Sequence, residues 1–244
     1  SKGIPWTKWC VGGKTNIVLN CIDRHKDKIF FKKTFIFAER EDGKESSITY
    51  EDFDKKISKV GNTLRVNGFK KGDVIALYMP QFIETYIAYF AILKIGCIVL
   101  PLFSGYGPKA VIERLNIAKA KGIFTVDKTF RKAKEIRMFD LIKDELEKVK
   151  SLEKVFLLGK DKGKKIFNWE NFENVTENLK TEEMDDVKDD DGFLLQNNFL
   201  DDLFLGKNDA HQLNILIQES IYARTQNASP LSPSAKSPNK KREI

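Results

Sequence analysis

Four short apolar runs, VIALY (Val74–Tyr78), CIVL (Cys97–Leu100), GIFTV (Gly122–Val126) and KVFLL (Lys154–Leu158), alternate with stretches of helical periodicity over Glu84–Leu93, Lys109–Ala118 and Phe139–Val149. A strand that is apolar at successive positions is buried on both faces. A chain that alternates such strands with helices of about ten residues builds βαβ units. The expectation is an α/β fold with an open, mostly parallel sheet and flanking helices. In sheets of this kind ligands sit beyond the carboxyl ends of the strands. Here that points at MPQF (Met79–Phe82), PLFSGYG (Pro101–Gly107) and DKTFRK (Asp127–Lys132).

A β-hairpin is expected ahead of the sheet. FFKKTFIFAE is rich in aromatic residues, Asp42-Gly43 is a two-residue turn signal, and SSIT follows. Thr49 and Asp52 then begin a helix in the manner of a capping box. Tyr50, Phe53, Ile57, Val60 and Leu64 form its buried stripe, which ends near Gly68. Tyr86 and Phe90 fall on a second helical stripe and are read as core. Past Leu158 the pattern loosens: KDKGKK is a charged turn, FNWENF reads as one short element, and EEMDDVKDDD is a solvated acidic linker. One more helical pattern, with Leu213, Ile217 and Ile221 on a stripe, runs over Asn208–Arg224. The stretch from about 225 to 244 is Ser-, Pro-, Asn- and Lys-rich with almost nothing to bury, so a partly disordered tail is expected.

Charge and cysteine usage exclude several classes. The net charge is +7, but lysines are interleaved with Asp and Glu almost throughout, so a mixed solvated surface is expected and no nucleic-acid partner. Cys10, Cys21 and Cys97 form no CxxC pair or disulfide framework, which fits a reducing, cytoplasmic setting. The apolar stretch Ile87–Phe103 is interrupted by Lys94, Gly96 and Pro101. A membrane span needs about 20 uninterrupted apolar residues, so no membrane association is expected. The first residues carry no signal-peptide pattern, and with Ser1 at its start the sequence reads as beginning inside a longer chain. GGKT (Gly12–Thr15) echoes the end of a P-loop, but Lys8 stands where that motif needs its first glycine. His25 and His211 lie far apart without carboxylate or serine context. No catalytic residue and no metal ligand is named, and His25 is expected to pack locally.

WCVGGKTNIVLNCIDRH (Trp9–His25), ITYEDF (Ile48–Phe53), KKGDVIALYMPQFIE (Lys70–Glu84), KIGCIVLPLFSGYG (Lys94–Gly107) and ERLNIAKAKGIFT (Glu113–Thr125) resemble, in order and at compatible spacing, AMP-forming acyl-CoA synthetases of the acetate-activating type. The resemblance runs to about Leu195. It implies ATP, magnesium and CoA as cofactors and a small carboxylic acid as substrate. The reaction it implies has two steps: adenylation of the acid, then displacement of AMP by the CoA thiol. The first step needs a phosphate cradle of backbone amides and a lysine, with magnesium to neutralise charge. DDDGFLL (Asp189–Leu195) resembles the strand that leads into the family's Thr/Ser/Gly-rich loop, but QNNFLDD (Gln196–Asp202) follows in its place.

The resemblance therefore implies residues 1–195 as the N-terminal portion of a synthetase large domain, 196–224 as an unrelated helical segment and 225–244 as the tail. The chain is expected to be a truncated acetate-type ligase that is not competent alone and binds none of its cofactors fully. Two alternatives stay open: half of a split ligase completed by a missing C-terminal half, or a non-catalytic protein-interaction module. An uncovered strand edge makes a homodimer the default association. By resemblance, Arg131 and Lys134 in TFRKAK meet the phosphates of the CoA nucleotide, although Lys134 stands where arginine is common and Ala133 where glycine is common. Two solvated lysine-rich helix residues are the competing reading. Phe103, Ser104 and Gly105 resemble the turn beside the family's substrate channel; a plain strand-to-helix turn is the other reading. Ser229, Ser232 and Ser237 each precede proline, as at proline-directed kinase sites, where phosphate would alter charge near KSPNKKR without touching the fold.

Overall fold

A computed structural model describes residues 16–40, 43–131, 134–163, 165–174 and 177–182. The sequence expectations for Trp9–Thr15, Asp42, Lys132–Ala133, Asp189–Leu195, the 196–224 segment and the 225–244 tail lie outside these residues.

The chain enters through a short helix α1 (Ile17–Cys21), capped by the Asn16 side chain, which accepts from the Val18 N–H at 3.0 Å. Two single-turn tight helices follow, at Asp23–His25 and Ile29–Lys32. The first strand of the hairpin, β1 (Thr34–Glu39), thus starts later than its aromatic composition suggests. It pairs antiparallel with β2 (Glu45–Thr49). Gly43 takes φ +73° in the connecting turn, a conformation that costs glycine little. Thr49 then caps α2 (Tyr50–Val66). Its Oγ1 accepts from the Asp52 N–H at 3.1 Å and donates to the Asp52 carboxylate at 2.8 Å. Phe53, Ile57, Val60 and Leu64 are buried as the stripe requires.

The main sheet contains β3 (Val74–Tyr78), β4 (Ile98–Pro101), β5 (Gly122–Val126), β8 (Lys154–Leu158) and β9 (Ile166–Asn168) in the order β4-β3-β5-β8-β9, every pair parallel. Helices α3 (Ile83–Lys94) and α4 (Pro108–Ile117) carry the chain from β3 to β4 and from β4 to β5. Because β3 has β4 on one side and β5 on the other, the order reverses at β3, and its carboxyl end is a switch point. Over β5, β8 and β9 the core is aromatic. Phe124 stacks on Phe156 at 4.6 Å, and Phe172 sits 5.0 Å from Trp169 and 5.2 Å from Phe167.

Four details depart from the sequence reading. FNWENF is two elements: β9 joins the sheet, and a tight helical turn follows over Trp169–Asn174. The helix expected over Phe139–Val149 is α5 (Met138–Ile142) followed by a separate tight turn at Leu146–Lys148. Bonds there switch from i−4 (Lys143 N–H to Phe139 C=O) to i−3 (Glu145 to Ile142, Val149 to Leu146). Met138, Phe139, Ile142, Leu146 and Val149 are nevertheless all buried. Tyr86, read as core, is 41 % exposed, and its hydroxyl bonds the Gln81 side chain at 2.6 Å. A small antiparallel hairpin, β6 (Thr129–Arg131) with β7 (Lys134–Ile136), has no counterpart in the sequence reading.

Candidate functional site

Three strands end at one mouth. Beyond β4 the chain turns through Leu102–Gly107, tied at its start by the Leu102 N–H to the Leu77 carbonyl at 3.0 Å and closed on itself by the Tyr106 N–H to the Phe103 carbonyl at 3.0 Å. Beyond β5 the β6–β7 hairpin rises beside it. The two meet at Gly105. A Cβ built there would lie 2.5 Å from Phe103 Cε1 and 2.6 Å from Arg131 Nη1, so the cradle is shaped by the absent side chain. Arg131 carries its guanidinium 5.5 Å from the centre of the Phe103 ring, and that ring is 55 % exposed.

The structure therefore brings Arg131, Phe103 and Gly105 together, with Ser104 half-buried in the same turn. Lys134 is the direct cross-strand partner of Arg131, and both side chains are exposed. These two residues stand on a hairpin, which replaces the reading that placed them on a helix. Like charges directly opposite on two strands repel, and an anion bound between them converts that repulsion into attraction.

Sequence reasoning missed the residues beneath the turn. Tyr78, fully buried at the end of β3, donates its hydroxyl to the Tyr106 carbonyl at 2.8 Å, and burial pushes its phenol above the ordinary value. Arg114 on α4 lies over the Tyr106 ring at 4.4 Å and donates to the Ala110 carbonyl at 3.1 Å. The Tyr106 ring in turn meets Phe103 edge-on at 5.6 Å. One signal was available: a tyrosine closing an otherwise apolar buried strand must find a partner for its hydroxyl.

The Asp-Arg-His run of the opening segment has a different place. Asp23 and Asp54 share two lysines. Lys94, fully buried, reaches Asp54 at 2.9 Å and Asp23 at 3.5 Å; Lys26 reaches Asp23 at 2.7 Å and Asp54 at 3.0 Å. Thr181 adds a hydrogen bond to Asp23. Burial opposes the charge on Asp23, but the bonds from Lys26 and Thr181 and the charges of both lysines outweigh it and hold the carboxyl below its usual range. His25 packs on Phe30 and Tyr50, at 4.9 and 6.1 Å between ring centres. This cluster lies among helices and builds no ligand mouth. Cys97 is buried, and burial pushes its thiol up to about 12.

A separate concavity of about 640 Å³ lies between the β1–β2 hairpin and the first turns of α2 and α3. Its rim interleaves Arg40, Lys56 and Lys59 with Glu45, Glu84 and Glu177, so it selects no one charge; Phe82 beyond the carboxyl end of β3 lines it, but Phe103, Gly105 and Arg131 do not. Among the described residues no group of three or more His, Cys, Asp or Glu side chains could hold a metal ion. No described helix is long and apolar enough to cross a membrane.

The comparisons with known proteins bear on family and fold. The chain is 33 % identical over 154 residues to acetyl-coenzyme A synthetase of Chlorobaculum tepidum, matching 63 % of this chain and 23 % of that protein. It is 39 % identical over 132 residues to 3-hydroxypropionyl-coenzyme A synthetase of Sulfurisphaera tokodaii, matching 54 % and 20 %. Against acetyl-coenzyme A synthetase of Helicobacter pylori the identity is 42 % over 137 residues, 55 % of this chain and 20 % of that one. The chain thus spans under a quarter of the length of the curated relatives it matches. A crystal structure of Brucella canis acyl-CoA synthetase shares the fold, with a TM-score of 0.59 at 22 % identity, over 71 % of this chain and 30 % of that one. The AMP-binding enzyme family model matches residues 20–196, through every strand of the sheet and the turn and hairpin at its mouth, and this chain belongs to that family.

Proposed function

We propose that this chain carries the CoA-nucleotide side of an acetate-type, AMP-forming acyl-CoA synthetase, with Arg131 and Lys134 meeting nucleotide phosphate and the Phe103–Gly105 turn bordering the CoA and substrate channel. The observation that supports it is the Arg131–Phe103–Gly105 cradle at the carboxyl ends of a parallel sheet. A guanidinium offers paired charge-assisted donors to phosphate oxygens, and the ammonium of Lys134 adds a movable point charge. Phe103 gives a purine an exposed aromatic face, and Gly105 leaves its backbone open to close approach.

ATP and magnesium belong to the adenylation half of the reaction. The glycine- and lysine-bearing loop that half requires has no counterpart in QNNFLDD (Gln196–Asp202). Residues 1–244 alone are accordingly proposed to bind the CoA nucleotide without forming an adenylate, and a completing polypeptide would restore the reaction. β4 pairs only with β3 among the described strands, and that open edge supports association with a second copy or with the completing half.

The test is made on the purified, folded chain. Calorimetry with CoA and with adenosine 3′,5′-bisphosphate is expected to show binding that Arg131→Ala weakens about tenfold, the loss of one good phosphate contact. Pyrophosphate exchange with ATP, magnesium and acids from acetate to octanoate is expected at the level of a heat-killed control. Absence of CoA binding removes the nucleotide site. Exchange above the control would mean that residues past Leu195 build a phosphate cradle after all.

A further inference from the structure

We propose that Arg114 and Tyr78 are positioning residues of the CoA-nucleotide subsite, acting through Tyr106 and Phe103 on Arg131; this rests on the reading above. Four groups touch in succession. The Arg114 guanidinium lies 4.4 Å from the centre of the Tyr106 ring, Tyr106 meets Phe103 edge-on at 5.6 Å, and Phe103 carries Arg131 at 5.5 Å. Two cations thus bracket two rings, and only the outer cation is exposed; Arg114 is half-buried. The inner cation is fixed by its own helix, through its bond to the Ala110 carbonyl at 3.1 Å.

Tyr78 holds the same turn from the sheet side. Its hydroxyl belongs to a fully buried side chain and crosses 28 positions of sequence to the Tyr106 carbonyl. The turn is therefore clamped twice at Tyr106, by its carbonyl from β3 and by its ring from α4. Phe103, at the other end of the turn, is otherwise held by the short bond from Tyr106 N–H. A phosphate contact depends on where Arg131 stands when the ligand arrives. An arginine kept against a fixed ring loses less freedom on binding than one swinging in solvent. Releasing Tyr106 frees Phe103, and freeing Phe103 removes the surface on which Arg131 rests.

The experiment measures CoA affinity and thermal midpoint for the full chain and for Arg114→Met, Arg114→Lys and Tyr78→Phe, each also in an Arg131→Ala background. Arg114→Met keeps the aliphatic packing and removes the charge over the ring, and about fivefold weaker binding is expected from the cation–ring contact. Arg114→Lys restores a cation and should bind within about twofold of the parent. Tyr78→Phe should cost about fivefold, the worth of one hydrogen bond. With Arg131 already gone, both losses should shrink to about twofold, the remainder acting through the Phe103 face offered to the purine. Undiminished losses in the Arg131→Ala background, or affinity losses that merely follow falls in thermal midpoint, would overturn the proposal. Variants that bind like the parent overturn it while leaving the subsite reading intact. A parent chain that binds neither CoA nor adenosine 3′,5′-bisphosphate removes both.

Discussion

At the scale of single residues, Gly105 separates site geometry from stability. The atoms a Cβ would crowd, Phe103 Cε1 and Cζ and Arg131 Nη1, are ends of side chains that can swing away. Gly105→Ala is therefore expected to leave the thermal midpoint nearly unchanged while weakening CoA binding about tenfold, because it pushes the guanidinium and ring off their resting places. A variant that binds CoA normally would show that the cradle is not the binding surface, and one that melts early would show that Gly105 is needed for packing. The places of Arg131 and Gly105, beyond the ends of β5 and β4, were legible in the sequence from the alternation of apolar strands and helices. Tyr106 and Arg114 were not. Each reads as an ordinary turn or helix residue, and the stack of rings and cations exists only once α4 has folded back under the turn.

At the scale of elements, α2 shows why some boundaries can be read from sequence alone. Thr49 and Asp52 stand three apart ahead of an amphipathic stripe, and Thr49 Oγ1 both accepts from the Asp52 N–H and donates to its carboxylate. Thr49→Ala should cost about 1 kcal/mol, seen as a lower denaturant midpoint at unchanged slope, with CoA binding untouched. A loss of CoA affinity would tie this helix start to the mouth, which its position does not suggest. The β6–β7 hairpin was invisible for the opposite reason: strands of three residues carry no period, and TFR and KEI alternate nothing. The single helix expected from Phe139 to Val149 failed more subtly. Three-residue bonding keeps Ile142, Leu146 and Val149 on the buried side almost as well as four-residue bonding does, so burial alone does not reveal the break.

At the scale of the whole molecule, four segments distant in sequence are fastened by one charged knot and one amide clasp. Asn16 donates to the Leu93 carbonyl at 2.7 Å and to the Glu182 carbonyl at 2.9 Å, and the Glu182 N–H bonds the Lys94 carbonyl at 2.8 Å. These bonds satisfy the end of α3 with the first and last described residues. Leu179 passes so close to α2 that a Cβ on Gly61 would collide with its side chain. Beside this clasp lies the knot of Asp23, Asp54, Lys26 and Lys94. With Lys94 fully enclosed, Lys94→Met leaves two carboxylates facing one lysine and should destabilise the chain by about 3 kcal/mol. The knot also fixes the sign of the pH response. Asp23 is held below its ordinary value of 3.8, so its contribution is complete above that value and is lost as pH falls through the lower, folded one. Burial opposes the charge on Lys26, but bonds from Asp23 and Asp54 raise it above 10.5, so its contribution holds below that value and disappears only as pH rises past the folded one. Stability should therefore be level across neutral pH and fall in acid. In Asp23→Asn the urea midpoint at neutral pH should drop, because a neutral amide partners two lysines less well, and the acid fall should become shallower. If parent and variant fall in parallel between about pH 5 and about pH 2, the acid limb belongs to other carboxylates and Asp23 is not its source.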